Sequence, residues 1–275
     1  MSDVPPFFIL FAFVLGSIIG SFLNVCIYRL PRKQSIILPP SHCTTCNIPI
    51  RFYDNVPILS YLLLRGRCRS CGAGFSPRYA IIEALTGCVF ALTVYEFGLS
   101  VETLLYLILL PSLIVITFID LEHWIIPNVI TYPGIALGLI LALLRTDWGE
   151  LRILVGEIGI MNTLYVVEQF PALNSILGIM IGGGVLLLIG LMYEVIRKRE
   201  GMGMGDVKLL AMVGAFLGVT SLLFIVLLSS LLGTLVGAAL MINKQSGMKR
   251  AIPFGPFLSF AAALYCFTGG ISFIF

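Results

Sequence analysis

The sequence predicts an all-α polytopic membrane protein, with about eight transmembrane helices and a cytoplasmic zinc-binding loop between the first and the second. Of its 275 residues, 59% are hydrophobic and only 11% are charged. Soluble domains carry about 25% charged residues, so this composition is too apolar for one. Eight apolar stretches also approach the roughly 20 residues that a helix needs to cross a bilayer. The lipid bilayer is therefore the first partner that the composition predicts.

The predicted spans follow one another along the chain. They cover residues 7–28, 79–97, 103–119, 125–144, 173–195, 207–219, 221–242 and 253–275. The sixth is short for a full crossing, and residues 153–170 form another apolar stretch that lies along the interface or re-enters, so the count is good to one or two. Because Asp3 gives the first span an acidic front, we expect it to stay in the membrane rather than be cleaved as a signal. The predicted domains are the first helix (1–28), the loop (29–78) and a second membrane domain (79–275).

Lys and Arg orient these helices, because they concentrate in short cytoplasmic loops. They lie mostly in the loops after the first, fifth and seventh spans: Arg29, Arg32, Lys33, Arg51, Arg65, Arg67, Arg69, Arg78, Arg197, Lys198, Arg199, Lys244, Lys249 and Arg250. The opposite side has Arg145 and Arg152. Both termini are therefore predicted to be periplasmic. Since topology accounts for the basic residues, the net charge of +3 gives no indication of nucleic-acid binding.

Four cysteines in the 29–78 loop form two Cys-x-x-Cys pairs. They are Cys43, Cys46, Cys68 and Cys71. Two such pairs can present four thiolates to a tetrahedral Zn²⁺, at a spacing close to that of zinc ribbons. Two disulfides or a redox pair are the alternatives, although the cytoplasm keeps structural thiols reduced. A metal would supply the folding energy that so polar a loop lacks.

Asp120 and Asp206 lie where the predicted topology puts two carboxylates at the same depth, on the cytoplasmic side. Asp120 ends the third span, where an anion opposes the helix macrodipole. Asp206 begins the sixth span behind Gly203 and Gly205, and a helix N-cap is its alternative role. Two carboxylates can hydrolyse a peptide bond, one activating a water while the other, protonated, polarises the carbonyl. The helix dipoles favour Asp206 as the base and Asp120 as the acid.

The glycines before Asp206 would let an extended substrate backbone approach that carboxylate. A metalloprotease is not predicted, because the chain has no His-Glu-x-x-His motif. A serine protease is not predicted either, because the two histidines lie outside the spans and leave a serine in the membrane without a base. Lys208 either takes part near the site or extends to the lipid head groups.

Several motifs together resemble the prepilin peptidases, also called type IV leader peptidases. GMGMGD at 201–206 is similar to the Gly-x-Gly-Asp motif of membrane aspartyl proteases. Further similar segments follow in the family's order: GSFLNVCIYRLP, NVPILSYLLLRGRCRSCG, SPRYAIIEALTG, DLEHWIIPN and IPFGPFLS. The resemblance covers most of the chain. The first cysteine pair departs from it, because Thr44 stands where relatives often have proline.

The resemblance implies a bacterial inner-membrane aspartyl protease that removes the basic leader of type IV prepilins or pseudopilins on the cytoplasmic side. Its catalytic aspartates map onto Asp120 and Asp206, in a peptidase domain over 79–275. It also implies N-methylation of the new N-terminal residue with S-adenosylmethionine. Glu83, about one turn inside the second span, is a candidate to bind the cofactor amine or the new N-terminus, with a structural carboxylate as the alternative.

Three rival functions remain open at this stage. A proton- or metal-coupled transporter would also place acids in helices, but predicts them nearer the midplane and with an internal repeat. A scaffold that displays a zinc module would not need the aspartates. A presenilin-like protease would cut inside a substrate helix, which the edge position of the pair disfavours.

Overall fold

The computed structural model describes residues 4–146, 170–197, 203–242 and 252–268, and within them the fold is helical, without a β-strand. The helices are α1 (Pro6–Arg29), α2 (Leu59–Leu63), α3 (Arg78–Phe97), α4 (Val101–His123), α5 (Asn128–Arg145), α6 (Pro171–Arg197), α7 (Met204–Leu217), α8 (Val219–Ile242) and α9 (Gly255–Thr268), with a 3₁₀ turn at Phe52–Asp54. The predicted all-α membrane fold is confirmed.

Six of the described helices are long and apolar enough to cross a membrane: α1, α3, α4, α5, α6 and α8. The sequence predicted about eight. The difference lies in α7 and α9, each of 14 residues. Such a helix is about 21 Å long, against a hydrocarbon core of about 30 Å. The end of the predicted eighth span, 269–275, lies outside the described residues, as does nearly all of the apolar stretch 153–170.

The chain divides into two compact units, Met1–Ile119 and Asp120–Phe275. The boundary falls inside α4, so that the last turn of this helix belongs to the second unit. The three-part division predicted from the sequence stays a prediction.

Small residues hold α1 against α3 in the first unit. A Cβ on Gly16 would lie 2.7 Å from the Cβ of Phe90, and a Cβ on Gly20 would lie 2.8 Å from the Cα of Glu83. Since the contacts run in opposite directions along the two helices, α1 and α3 are antiparallel. Glycines four residues apart let membrane helices approach this closely. The outer face of α1 exposes large apolar side chains suited to lipid, such as Phe7 and Leu10.

The short helix α7 is the centre of the second unit. Nearly all of its residues from Val207 to Ala215 are buried. Gly178 of α6 packs backbone to backbone against Gly214 of α7, and Gly138 of α5 packs against Ala215. A helix enclosed by its neighbours need not match the bilayer thickness, because protein rather than lipid surrounds most of its length. This enclosure explains how a helix too short to span can lie inside a membrane domain.

A left-handed residue ends α7 and turns the chain directly into α8. Gly218 has φ +80°, and the Asn174 side chain accepts a hydrogen bond from the backbone N–H of Val219 at 2.7 Å. By contrast, a Cβ added to Gly233 or Gly237 of α8 would have no neighbour closer than 3.7 Å in the part of the chain that the structure describes, the nearest side chains being those of Ile252, Phe254 and Phe257. Neither glycine makes a tight helix contact, and Gly233 borders a shallow groove.

Candidate active site

Asp120 is held in the last turn of α4. Its side chain is 6% exposed, and the backbone N–H of Gly255, the first residue of α9, donates to its Oδ2 at 3.1 Å. A Cβ on Gly255 would lie 2.5 Å from that oxygen. Only glycine lets the backbone come this close to the carboxylate, so the start of α9 positions Asp120.

A strained turn follows Asp120 and ends the helix. Trp124 has φ +59°, a left-handed conformation that is uncommon for a bulky residue, and its N–H donates to the carbonyl of Asp120 at 3.0 Å. Pro127 comes three residues later, where a helix cannot easily continue. The turn directs the side chain of Ile126 inward, where it is 9% exposed.

Ile126 links the surroundings of the two aspartates. A Cβ on Gly205 would lie 2.9 Å from the Cβ of Ile126, and one on Gly255 would lie 3.3 Å from its Cδ1. Gly205 directly precedes Asp206, and Gly255 binds Asp120. One side chain therefore touches both glycines, so that the start of α7 and the start of α9 meet the end of α4 at one place.

Asp206 lies in the first turn of α7 and is half-buried, within the electrostatic reach of Asp120. The N-cap position belongs to Gly203, whose carbonyl accepts the N–H of Asp206 at 3.1 Å. The alternative role of Asp206 as an N-cap is therefore wrong. A carboxylate in the first turn is still favoured by the helix dipole.

Three residues near Asp206, predicted to bind substrate, have different surroundings. Gly203 is exposed, and a Cβ there would meet only the Oδ2 of Asp206, at 3.6 Å. Gly205 is packed against Ile126, so its missing side chain serves that contact. Lys208 donates from Nζ to Oδ1 of Asn128 at 2.9 Å and lies over the ring of Tyr132. Lys208 thus joins α7 to the start of α5. The substrate-binding roles predicted for these residues stay predictions.

The four loop cysteines form one cluster. The Sγ atoms of Cys43, Cys46, Cys68 and Cys71 all lie within 4.8 Å of one another, and those of Cys43 and Cys71 are 3.8 Å apart. A tetrahedral zinc with Zn–S bonds of about 2.3 Å separates its sulfurs by about 3.8 Å. All seven cysteines of the chain are free thiols. The cluster therefore fits one metal ion and does not form the two disulfides of the alternative.

The two Cys-x-x-Cys pairs have the same local structure. Cys43 N–H donates to the Ile48 carbonyl, and Cys68 N–H donates to the Ala73 carbonyl. Asn47 and Gly72, each directly after the second cysteine of a pair, have φ +57° and +72°. The turns aim backbone N–H groups at the sulfurs: those of Cys46 and Thr45 lower the pKa of the Cys43 thiol to about 6. A thiolate is the form that binds metal.

An ion pair braces the loop beside the second cysteine pair. Arg69 donates from Nε and Nη2 to the carboxylate of Asp54, with the shortest contact at 2.6 Å. Hydrogen bonding from Arg69 lowers the pKa of Asp54 below its usual range. A fork-shaped contact of this kind fixes orientation as well as charge, so the 3₁₀ turn that carries Asp54 is held to the cysteine cluster.

Glu83 lies in the first unit, on α3. Its side chain is 8% exposed, and its Oε2 accepts the backbone N–H of Ile58 at 2.8 Å. Ile58 has φ +62° and precedes α2, so the carboxylate holds a strained part of the loop. Glu83 also lines a cavity of about 1240 Å³ between α1, α3 and the loop. The Glu83 carboxylate thus holds the loop through Ile58 and also faces a cavity that could take a ligand.

Comparisons with known proteins identify the family. The model of the bacterial peptidase A24 N-terminal domain matches residues 14–97, and that of the type IV leader peptidase family matches residues 107–238. A protein of Pseudomonas putida named prepilin leader peptidase/N-methyltransferase is 35% identical over 279 residues, which cover 94% of this chain and 89% of that protein. One of the same name from Neisseria gonorrhoeae is 37% identical over 283 residues, covering 94% and 90%.

The chain belongs to the type IV leader peptidase family. The resemblance inferred from the motifs is thereby confirmed, and the chain is an enzyme, a membrane peptidase whose relatives' names add methyl transfer. The transporter and scaffold alternatives are wrong. No solved structure gave a significant match.

The match to the type IV leader peptidase model includes Asp120 and Asp206, whereas Glu83 and the four cysteines fall in the N-terminal match. Sequence reasoning missed Gly255 and Ile126 as parts of the site. The segments IPFGPFLS and DLEHWIIPN, which contain them, were recognised as motifs without a role for either residue. Nothing local in the sequence shows that one touches the other.

Proposed function

We propose that this type IV leader peptidase removes the basic leader of type IV prepilins or pseudopilins, with Asp120 and Asp206 as its catalytic dyad. The observation that supports the proposal is the contact of Ile126 with both Gly205, next to Asp206, and Gly255, which binds Asp120. The two carboxylates lie 86 positions apart in the sequence. The names of the relatives supply the substrate class. Exposed Gly203 leaves room for the extended backbone at the cleavage site.

The dyad works by sharing one proton. Two close carboxylates cannot both ionise readily, so at neutral pH one is charged and the other protonated. The charged group takes a proton from a water as it attacks the scissile carbonyl, while the protonated group hydrogen-bonds the carbonyl oxygen. Asp120 lies in the last turn of α4 and Asp206 in the first turn of α7, and these helix dipoles favour Asp206 as the base. The Gly255 N–H, at the start of α9, holds the Asp120 side chain in place and by itself favours the charged form of that group, so it opposes the effect of the α4 dipole.

Cleavage of a purified prepilin in detergent tests the dyad. Asp120→Asn and Asp206→Asn keep the shape of the side chains and remove the proton chemistry, so each should abolish leader removal. Glu122→Gln is the matched control, since it neutralises an exposed acid two residues from Asp120. Folded variants that cut at the wild-type rate would contradict the dyad.

The position of the cut separates leader removal from presenilin-like proteolysis. Sequencing the N-terminus of the product should give a single residue directly after the basic leader, before the apolar helix of the substrate begins. A product that starts inside that helix would support the presenilin-like alternative instead.

The cysteine cluster is proposed to hold zinc. Four sulfurs at these separations match a structural Cys₄ site, and zinc supplies folding energy to such loops. Metal analysis of the purified protein should find about one zinc per chain.

Methyl transfer is proposed as a second reaction of the same chain, at the cavity that Glu83 lines. The cavity volume of about 1240 Å³ exceeds the range of roughly 300–1,000 Å³ usual for ligands of cofactor size, so it has room for S-adenosylmethionine. The bound cofactor supplies an electrophilic methyl group. Glu83 would bind an amine, and loss of methylation without loss of cleavage in Glu83→Gln would support this role.

The enzyme is proposed to lie in the bacterial inner membrane, with both termini periplasmic and the dyad at the cytoplasmic face. The convergence of the end of α4 with the starts of α7 and α9 supports a common side for these helix ends. Reporter fusions to the two termini test this topology: alkaline phosphatase should be active at both, and a cytoplasmic fluorescent reporter at neither.

A further inference from the structure

Asn24 carries a buried hydrogen-bond acceptor without a partner. Its side chain is 3% exposed on α1, and its Nδ2 donates to the carbonyl of Tyr79 at 3.0 Å and to that of Gly20 at 3.3 Å. Two carbonyls around the nitrogen fix the orientation of the amide, since the reversed amide would put oxygen against oxygen. The Oδ1 is therefore a true acceptor, and it has no hydrogen-bond partner within the described residues.

Asn24 and Glu83 lie at the same junction of α1 and α3. Gly20 packs against the backbone of Glu83, and Asn24, one turn further along α1, bonds to Tyr79, one turn before Glu83 on α3. Both side chains line the 1240 Å³ cavity of the first unit. The cavity wall therefore carries a buried carboxylate and a buried amide about one helical turn apart along the α1–α3 contact.

Four arginines line the cavity wall, and three of them are engaged elsewhere, while the fourth, Arg67, is exposed. Arg29 donates to the carbonyls of Ser35 and Pro39, Arg69 to Asp54, and Arg51 to the hydroxyl of Tyr53. Among the described residues, no Lys or Arg forms an ion pair with Glu83. Glu83 has a donor in the Ile58 N–H, but the buried Oδ1 of Asn24 has none within the described residues. An unpaired buried acceptor costs free energy, and a ligand that brings donors to this wall would recover it.

We propose that Asn24 and Glu83 together form a binding site for a primary ammonium group. This inference rests on the proposed methyl transfer, whose reactants carry two such groups: the amino group of S-adenosylmethionine and the α-amino group that leader removal exposes. An ammonium has three donors and no acceptor, so it satisfies Oδ1 of Asn24 and the carboxylate of Glu83 at once. Asn24 acts here as a binding residue that fixes where the amine lies.

Binding of radiolabelled S-adenosylmethionine to the zinc-loaded full chain in detergent tests the site without turnover. The variants are Asn24→Leu, which removes the acceptor at similar volume, and Glu83→Gln, which removes the charge. Ser17→Ala is the matched control, because Ser17 is a buried polar residue of α1 that bonds only to the Phe13 carbonyl. Zinc content and thermal midpoint show whether each variant is folded.

The two sources of the amine give different results. If the cofactor's amino group occupies the site, both variants weaken cofactor binding by roughly tenfold or more, the loss expected for a hydrogen bond to a charged group. If the new N-terminus occupies it, cofactor binding is unchanged and the KM of a leader-free pilin peptide in the methylation assay rises by a similar factor.

Two results would overturn the inference. In the first, folded variants keep both the cofactor affinity and the peptide KM within twofold of the control. In the second, the wild type neither binds nor uses S-adenosylmethionine, so that the proposed methyl transfer fails together with this site. Leader removal by the wild type, measured on the same preparation, shows separately whether the aspartyl peptidase proposal stands.

Discussion

The backbone N–H of Gly255 donates to Oδ2 of Asp120 across 135 positions of the chain, at 3.1 Å. Asp120 lies in the last turn of α4 and Gly255 begins α9, so this single bond ties the first of the two proposed catalytic carboxylates to the last described helix. The close approach exists only because residue 255 has no side chain.

Gly255→Ala should reduce leader removal by roughly 100-fold, because a shift of about 1 Å at a catalytic group has an effect of that size. The added Cβ would lie 2.5 Å from the Asp120 oxygen and 3.3 Å from Ile126, so the carboxylate must move. The measurement is kcat/KM on a purified prepilin. Gly237→Ala is the control, since among the described residues its Cβ would meet only Ile252, at 3.7 Å. Equal activity of the two variants would contradict the role of Gly255.

Ile126→Ala should destabilise the second unit by about 2–5 kcal/mol and lower kcat, because it removes the side chain that fills the space between Gly205 and Gly255. Ile126→Val, which removes one methyl group, should cost about 0.5–1.5 kcal/mol and keep most of the activity. Thermal unfolding and prepilin cleavage measure the two effects. Ile125→Ala changes a neighbour that is 51% exposed and should be nearly neutral. If Ile125 proved the more sensitive position, Ile126 would not be the link between the aspartates.

Cys43→Ser should remove the metal and open the 29–78 loop to proteases, because a structural zinc site with three sulfurs binds far more weakly and its binding energy is folding energy. Metal content and limited proteolysis of the purified protein are the measurements. Cys88→Ser replaces an exposed cysteine of α3 outside the cluster and should retain the metal. A Cys43→Ser protein with full metal content would show that the cluster is not the site.

Gly178→Ala should separate α6 from α7 and destabilise the protein by roughly 1–3 kcal/mol, since the new Cβ would overlap the backbone of Gly214. Gly184→Ala, on the same helix, meets no described residue within 4 Å and should leave stability unchanged or raise it slightly. Thermal midpoints in detergent compare the two. Similar midpoints would mean that the backbone contact of α6 with α7 is not needed for stability.

Chemistry that depends on residue type and short spacing could be predicted from the sequence. Two Cys-x-x-Cys pairs predicted a metal site because each pair makes its own turn, and the turns at Asn47 and Gly72 show the same local geometry. Asp120 and Asp206 stood out because carboxylates are rare at the ends of apolar helices. The number of spans was predicted less well. Hydropathy does not show that α7 is enclosed by its neighbours and is therefore free to be shorter than the bilayer.

From the sequence alone came the membrane fold, the family, the four cysteines that cluster, and the two aspartates as expected catalytic residues. The tertiary structure decided which neighbours surround them. Gly255 at Asp120, Ile126 between two glycines, and the unpaired Oδ1 of Asn24 near Tyr79 all depend on contacts between helices. Such contacts are made by residues far apart in the chain and leave no periodic pattern in the sequence. A glycine that contacts a carboxylate cannot be told in sequence from a glycine that packs against a helix.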